Sequence, residues 1–295
     1  EFKLIRMAIL YALKWISTLP QQLKDNKLYL YPDPADKDQW ALTFTKDKQQ
    51  VTVFADNPLR ALHQSLQHLN PQKGIVQFDY VEHYSIGQTV KDILNDNFSN
   101  DPLLAEGKVQ LANGMSIELA KLYALMGDFF GIPDKPIAEG AGEVEQQKRF
   151  IEAFDTLYGK DTQSEADKQK QQTRIKNILL VGAIEKEALQ IEEVDDMTNR
   201  LWNVATGGSN ITYPLSHSRY LALAKNNIDH FSNCAKDAYR AGHEKALAII
   251  RQIPDAGAEE QTKLIHKALA MEAAAGHFLT DLFSSGHVRV PRQAL

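Results

Sequence analysis

The residues that decide the fold are KLIHKALAMEAAAGHFLTDLF, positions 263–283, where small and apolar side chains recur with helical spacing. This pattern predicts a long helix in a helical C-terminal domain, after a polar break at residues 254–260. Two polar residues of the helix, His277 and Asp281, are four positions apart. Their side chains therefore lie on one helix face about one turn apart, where both can reach one metal ion.

The rest of the chain predicts a mainly α protein with a small β-containing N-terminal region. From residue 57 onward the apolar spacing is helical. Before it, three short aromatic and β-branched runs predict a small antiparallel sheet or meander: KLYLYPDPAD (27–36), WALTF (40–44) and VTVFAD (51–56). We therefore expect an N-terminal region at 1–75, with a helix at 4–16 followed by the sheet. A helical domain should occupy 76–295, with a loop at 205–214 as a candidate internal boundary.

Further helices are predicted around the metal-binding pair. IELAKLYALMGDFFG (117–131) is apolar almost all round and ends at a Gly-x-Pro, so it predicts an interior helix with Asp128 near its buried end. Residues 219–242 and 243–252 predict two helices that meet at Gly242.

The composition narrows the class of protein. The 295-residue chain has 24% charged and 43% hydrophobic residues, the balance of a globular protein. Its formal charge of -5 gives no overall field for nucleic acid, so we expect no nucleic-acid partner. Cys234 is the single cysteine, and a lone helical cysteine is more typical of a small buried hydrophobe than of a nucleophile. The apolar run at 4–16 contains Arg6 and Lys14 and is shorter than the ~20 residues of a spanning helix, so we expect no transmembrane segment.

A third candidate metal ligand follows the long helix. Residues 284–286 (SSG) break the helix, which lets His287 turn back toward His277 and Asp281. Imidazole and carboxylate ligands without a thiolate suit a hydrolytic zinc site better than a structural one. An aspartate in this position can also bridge two ions ~3.5–4 Å apart, as in two-metal phosphoesterases.

Several phrases of the sequence resemble the zinc-dependent phospholipase C family. FSNCAKDAYRAGHEKALAII (231–250) and KALAMEAAAGHFLTDLFSSGH (267–287) are similar to the part of clostridial alpha-toxin and its relatives that bears His-x3-Asp-x5-His. The phrases HYSIG, ALMGDFFG, NVATGG, RYLALAKNNIDHF and HFLTDLFSSGHVRVPR are closer still to the phosphatidylcholine-hydrolysing enzymes of pseudomonads and legionellae. The resemblance covers about residues 78–131 and 200–292, and the last fifth of the chain is its most specific part.

This resemblance implies a multi-helix phospholipase C-like bundle with two or three zinc ions. In it His277 and Asp281 bind the first zinc, Asp281 reaches toward a second, and His287 binds another ion of the cluster. Metal-activated water would hydrolyse the glycerol-side phosphodiester of a phosphatidylcholine-like phospholipid at a membrane surface, releasing diacylglycerol and a phosphorylated headgroup. The resemblance also implies secretion or translocation from a bacterium, as for a virulence effector. It leaves the oligomeric state open.

The upstream ligands have several candidates. His83 and Asp128 are polar residues within apolar patterns, so each could be a metal ligand or a hydrogen-bonding group of the core. Asp128 would also orient the attacking water, and His230 could face the same bundle or the helix surface. Asp229 and His243 imitate an upstream pair of the family. Because fourteen residues of continuous helix rise about 21 Å, we expect His243 to cap a helix instead.

Aromatic residues near these candidates offer a binding surface for choline. Such side chains could receive its cation by cation–π contact, although core packing is their commoner role; they are Tyr84, Phe129, Phe130 and Phe278. His217, in a predicted loop, ranks below the other histidines as a ligand.

The sequence departs from the toxin pattern in three ways. It has no N-terminal tryptophan, no histidine before His63 to replace the N-proximal ligand, and no His-x3-Glu pair after His287. We expect either that upstream residues fill this gap or that a further C-terminal segment completes the site.

Three rival hypotheses stay open beside the phospholipase. Single-strand-specific zinc nucleases resemble the same helical fold and metal cluster. A non-catalytic, metal-stabilised interaction protein would also retain part of the ligand set. Without any metal, His277 would lie in a polar pocket and Asp281 would pair with Arg289 or Arg292.

Overall fold

The computed structural model describes most of the chain from Tyr29 to Phe283. The described residues are 29–36, 39–46, 48–55, 61, 65, 80–188, 202, 205–206, 219–226 and 228–283. The predictions of a helix at 4–16 and of sites at His217 and His287 lie outside them, as does all of the predicted loop at 205–214 except its first two residues. Of these described residues, helices hold 65% and strands 12%, which confirms the mainly α fold with a small β region near the N-terminus.

The chain forms two compact units. The first comprises residues 1–77 and 177–216, and the second comprises residues 78–176 and 217–295. All the candidate site residues that the structure describes belong to the second unit.

The first unit contains the predicted meander. Strands β1 (Tyr29–Pro32), β2 (Trp40–Lys46) and β3 (Gln49–Ala55) pair antiparallel in chain order. Its β-branched and aromatic residues are those that favour a pleated, half-buried surface. Thr43 is the middle member of a hydroxyl ladder across the sheet, 3.0 Å from the Tyr31 hydroxyl and 2.9 Å from the Thr52 hydroxyl. The sheet prediction is therefore confirmed in number of strands and direction.

The second unit is a helical bundle with one short hairpin. In chain order its elements are α1 (Tyr80–Gln88), α2 (Val90–Asn97), α3 (Pro102–Ala105), β4 (Lys108–Gln110), β5 (Ser116–Glu118), α4 (Leu119–Leu125), a π-helical turn (Met126–Phe130), α5 (Glu143–Tyr158), α6 (Glu165–Ala188), α7 (Arg219–Lys225), a 3-10 turn (Ile228–His230), α8 (Ser232–Ile250), a second 3-10 turn (Ile253–Asp255) and α9 (Ala258–Asp281). Helix α6 continues beyond residue 176 into the first unit.

Helix α9 is the centre of the second unit, as the sequence predicts. Its small residues from Ala268 to Ala275 are largely buried, which lets neighbouring helices pack closely against it. Its N-terminal half is held by His266, whose Nε2 lies 3.0 Å from Asp101 Oδ2 while its Nδ1 accepts the Gln110 backbone N–H at 3.0 Å. Asp101 also caps α3 through its other carboxylate oxygen. The helix that carries His277 and Asp281 is thus anchored in its N-terminal half as well as by the packing of its small residues.

The hairpin of β4 and β5 was not predicted. Each strand has three residues, too few for a clear alternating pattern. The available signal was Asn113-Gly114 between apolar residues, because Gly114 takes φ +86° in the turn.

The predicted helices at 219–242 and 243–252 were placed wrongly. Helix α7 ends at Lys225, a 3-10 turn follows, and α8 then runs without interruption through Gly242 to Ile250. At the break the Asn226 side chain donates to the Pro133 carbonyl, and the Asp229 carboxylate accepts the backbone N–H groups of Ile137 and Ala138. These side-chain bonds hold the segment against the loop at 133–138 and compete with continuation of the helix. Gly242 serves packing instead, since a Cβ there would lie 2.4 Å from the Phe150 ring.

No described helix is long and apolar enough to cross a membrane.

Candidate metal centre

Five polar side chains from four elements meet in the middle of the second unit. His83 comes from α1, Asp128 from the π-helical turn, His230 from the 3-10 turn, and His277 and Asp281 from α9. Four of the five are buried, and the side chain of Asp128 keeps 21% exposure. The sequence had proposed all five as ligands, and the fold brings them together.

The π-helical turn positions Asp128. The predicted helix at 117–131 is α-helical from Leu119 to Leu125 and then widens to π-helical geometry from Met126 to Phe130. Such wide turns change the direction of side chains within a helix and often occur at functional sites. Gly127 permits the close approach that follows, because a Cβ there would lie 2.3 Å from His277 Nε2 and 2.5 Å from His230 Cε1.

Asp281 is the central member of the cluster. Its Oδ2 lies 2.7 Å from His230 Nδ1 and 3.6 Å from His277 Nε2, and its Oδ1 lies 3.4 Å from His83 Nε2. The two carboxylate oxygens therefore face different histidines. This arrangement suits either one ion or two ions bridged by one carboxylate.

Asp128 closes the cluster on its more open side. One oxygen lies 3.9 Å from His230 Nε2 and the other lies 3.9 Å from His277 Nε2. Two groups of potential ligand atoms result, each spanning less than 4.8 Å: His83, Asp128 and His277, and His230, His277 and Asp281. Both groups share His277.

Outer hydrogen bonds determine which ring nitrogens carry protons. His277 Nδ1 lies 2.7 Å from the Tyr123 carbonyl oxygen, which can only accept, so this nitrogen is the protonated one. The Thr280 hydroxyl donates its proton to the His277 carbonyl at 2.7 Å. It must therefore accept from His83 Nδ1, which lies 2.5 Å away. In both rings the remaining nitrogen, Nε2, therefore faces the cluster.

Burial reinforces this protonation pattern. Because desolvation penalises the cation, it lowers the pKa of His277 to about 4, although the Asp281 carboxylate acts in the opposite direction. Burial likewise raises the pKa of Asp128 to about 6; His230 lowers it and Asp281 raises it further. The His277 ring is thus neutral at neutral pH, the form that binds metals. Neutral imidazole lone pairs and carboxylate oxygens converge here, so these buried groups could hold a metal ion.

The remaining predicted site residues lie in other roles. Asp229 accepts the backbone N–H groups of Ile137 at 2.7 Å and Ala138 at 2.9 Å. His243 was expected to cap a helix, but it lies inside α8 with Nδ1 2.8 Å from Glu272 Oε2. That prediction was wrong because α8 does not end at Gly242.

Cys234 does not have the features of a nucleophile. Burial raises the pKa of its thiol, which disfavours the thiolate.

The four aromatic candidates are mostly packing residues. Phe278 lies edge-on to His230, with ring centroids 5.7 Å apart, and is 1% exposed. Phe129 stacks on Tyr220, Phe130 is fully buried, and the Tyr84 hydroxyl donates to Glu118. Phe278 therefore forms an apolar wall of the cluster.

Sequence reasoning missed three supporting groups: Gly127, Thr280 and the Tyr123 carbonyl. Thr280 follows His277 by three residues, so its position on the same helix face was available as a signal. The other two act across the fold and have no local signature.

Comparison with known proteins gives no relative for this chain: no protein-family model, curated protein or solved structure matches it. The chemical interpretation therefore rests on the geometry of the cluster.

Replacement of Thr280 by valine should weaken metal binding about tenfold to a hundredfold without removing a ligand. The valine cannot accept from His83 Nδ1, so the ring loses the bond that directs Nε2 inward. Zinc affinity would be measured by competition with a chromogenic chelator. Thr262→Val is the matched control, because Thr262 lies on the same helix, is exposed and bonds only to a backbone carbonyl. Equal affinities in the two variants would contradict the orienting role.

Proposed function

We propose that this chain is a zinc-dependent phosphodiesterase of the phospholipase C type. The observation that carries the proposal is the orientation of His83 and His277, the two histidines whose Nδ1 atoms bond to groups outside the cluster. His83 and His277 each donate a proton away from the cluster through Nδ1 and turn Nε2 toward Asp281. His230 Nδ1 lies 2.7 Å from Asp281 Oδ2 and 3.3 Å from His277 Nε2, so its proton can join these two acceptors in the metal-free site. Zn²⁺ prefers this combination of imidazole and carboxylate ligands and would take the place of that proton.

The donor set also favours hydrolysis over a structural role. Structural zinc sites are commonly closed by thiolates, whereas here the ligands are nitrogen and oxygen and Asp128 stays partly open to solvent. His230, His277 and Asp281 would form one ligand group, and His83, Asp128 and His277 would form the other. When bound, zinc would supply an activated water and stabilise the negative charge that develops on the phosphoryl oxygens.

The protein's own residues would then position the reactants. Asp128, at the open side, would accept a hydrogen bond from the attacking water and orient it toward phosphorus. Thr280 and the Tyr123 carbonyl would keep the two imidazoles in one tautomer. Phe278 would exclude water from the buried side, which strengthens the electrostatic interactions within the cluster.

The substrate class follows from the resemblance to phospholipases C. We propose a phosphatidylcholine-like phospholipid at a membrane surface, acted on by an enzyme secreted or translocated from a bacterium. Cleavage would take place at the glycerol-side phosphodiester.

The proposal is tested by measuring zinc content and hydrolysis on the same preparation of the full chain. A soluble short-chain phosphatidylcholine and single-stranded DNA would be offered in parallel. We expect zinc to be present, phosphorylcholine to be released, and chelation to abolish this activity until zinc is returned. The His277→Ala variant should release no phosphorylcholine, whether or not zinc is added. Cleavage of DNA alone would favour the nuclease hypothesis, and bound zinc with neither activity would favour the non-catalytic one.

A further inference from the structure

Two arginines converge on the C-terminal end of the π-helical turn. Arg219, the first residue of α7, donates through Nη2 to the carbonyls of Phe130 at 3.0 Å and of Gly131. Arg174, from α6, donates through Nη2 to the Phe129 carbonyl at 3.4 Å, and its guanidinium lies 5.1 Å from the centroid of the Phe130 ring. The two guanidinium groups therefore bind consecutive carbonyls of one helical turn.

This pair carries more positive charge than its surroundings balance. No carboxylate among the described residues lies within ion-pair distance of either guanidinium, and the Nε atoms of both are buried without a hydrogen-bond partner. Burial lowers the pKa of both side chains. The pKa of Arg219 falls to about 10, with the charge of Arg174 as the second cause. Each arginine thus makes the other more costly to keep charged.

The helix end offsets only part of this charge. The C-terminus of a helix carries roughly -0.5 of an elementary charge, which leaves about 1.5 positive charges unmatched. A phosphate group carries about -1.5 to -2 at neutral pH. The planar guanidinium also presents parallel N–H donors that match two oxygens of a phosphate.

We propose that Arg174 and Arg219 form a binding site for a small soluble oxyanion of the phosphate class, either inorganic phosphate or a phosphate monoester. The Nε donors are buried while the two residues keep partial exposure, which favours a small free ion over a headgroup fixed in a bilayer. The site uses none of the five residues of the metal cluster. It therefore does not depend on the proposed phosphodiesterase activity.

The test is a calorimetric titration of the full chain with inorganic phosphate at constant ionic strength, with and without a zinc chelator. We expect one phosphate to bind in the presence of the chelator, because the chelator removes only the additional binding to zinc. Phosphorylcholine should compete with it, and vesicles of phosphatidic acid in phosphatidylcholine should not. Absence of phosphate binding to the chelated wild-type chain would overturn the proposal, as would retention on the vesicles without binding of the free ion.

Arg174→Gln locates the site. It should weaken phosphate binding about tenfold or more, since it removes one charge-assisted donor. Arg251→Gln, which changes an exposed arginine at the end of α8, should leave the affinity unchanged. Arg174 makes one long hydrogen bond, so the variant is expected to fold, and circular dichroism would check this. Equal phosphate affinities in Arg174→Gln and the wild type would count against the arginine pair.

Discussion

Asp281→Asn should release essentially all zinc from the protein. Asp281 is the one residue whose two oxygens face His83 on one side and His230 and His277 on the other. An amide supplies one neutral oxygen and loses the negative charge that the cation requires. Since changes in groups that only orient the ligands cost tenfold to a hundredfold, loss of the central carboxylate should lower zinc affinity by more than about a hundredfold. Metal content after dialysis, measured by mass spectrometry, would show this directly.

The same variant should be no less stable than the wild type once both are stripped of metal. A carboxylate that is 0% exposed is costly to bury in the absence of a cation, and asparagine removes that charge while keeping the shape. Zinc should therefore raise the unfolding temperature of the wild type but not of Asp281→Asn. Asp255→Asn, at an exposed position just before α9, is the control and should behave as the wild type. Stoichiometric zinc in Asp281→Asn would exclude the assignment of this residue as the central ligand.

Local periodicity was sufficient to predict the part of the cluster that lies on one helix. His277 and Asp281 are four residues apart on a strongly periodic segment, so their proximity follows from helix geometry alone. The interior helix with Asp128 and the three-stranded meander were likewise visible as patterns within short windows. These features depend on neighbours in sequence, and they are the ones that the structure reproduces.

The contacts that bring His230 and His83 to α9 could not be predicted from local periodicity, because they join segments that are distant in sequence. His230 reaches Asp281 only because the predicted helix at 219–242 breaks, and the break depends on bonds to the loop at 133–138. His83 is joined to Thr280 across 197 residues of sequence. The polar residues could be singled out as unusual in their apolar surroundings, but their mutual distances required the tertiary fold.

Gly127→Ala should disrupt the metal centre without altering any ligand. A methyl group at this position would lie 2.3 Å from His277 Nε2, 2.4 Å from His277 Cδ2 and 2.5 Å from His230 Cε1. These atoms belong to two rings already held by the Tyr123 carbonyl and by Asp281, so neither ring can move away without losing a bond. Overpacking of this kind costs about 1–3 kcal/mol, and here the displaced atom is one of the candidate ligand atoms. We expect zinc affinity and any metal-dependent activity to fall by at least about tenfold.

The matched control is Gly257→Ala, at the N-cap of α9, where an added Cβ meets nothing within 4 Å and the backbone has φ -70°. Alanine is a poorer N-cap than glycine, so this variant should lose some stability while keeping its zinc. The two variants therefore separate a general loss of stability from a local displacement of ligands. Comparison of zinc affinity with the free energy of unfolding makes the distinction: Gly127→Ala should lose far more affinity than its loss of stability explains. If Gly127→Ala instead bound zinc as tightly as Gly257→Ala, the rings of His230 and His277 would not both be needed where the structure places them.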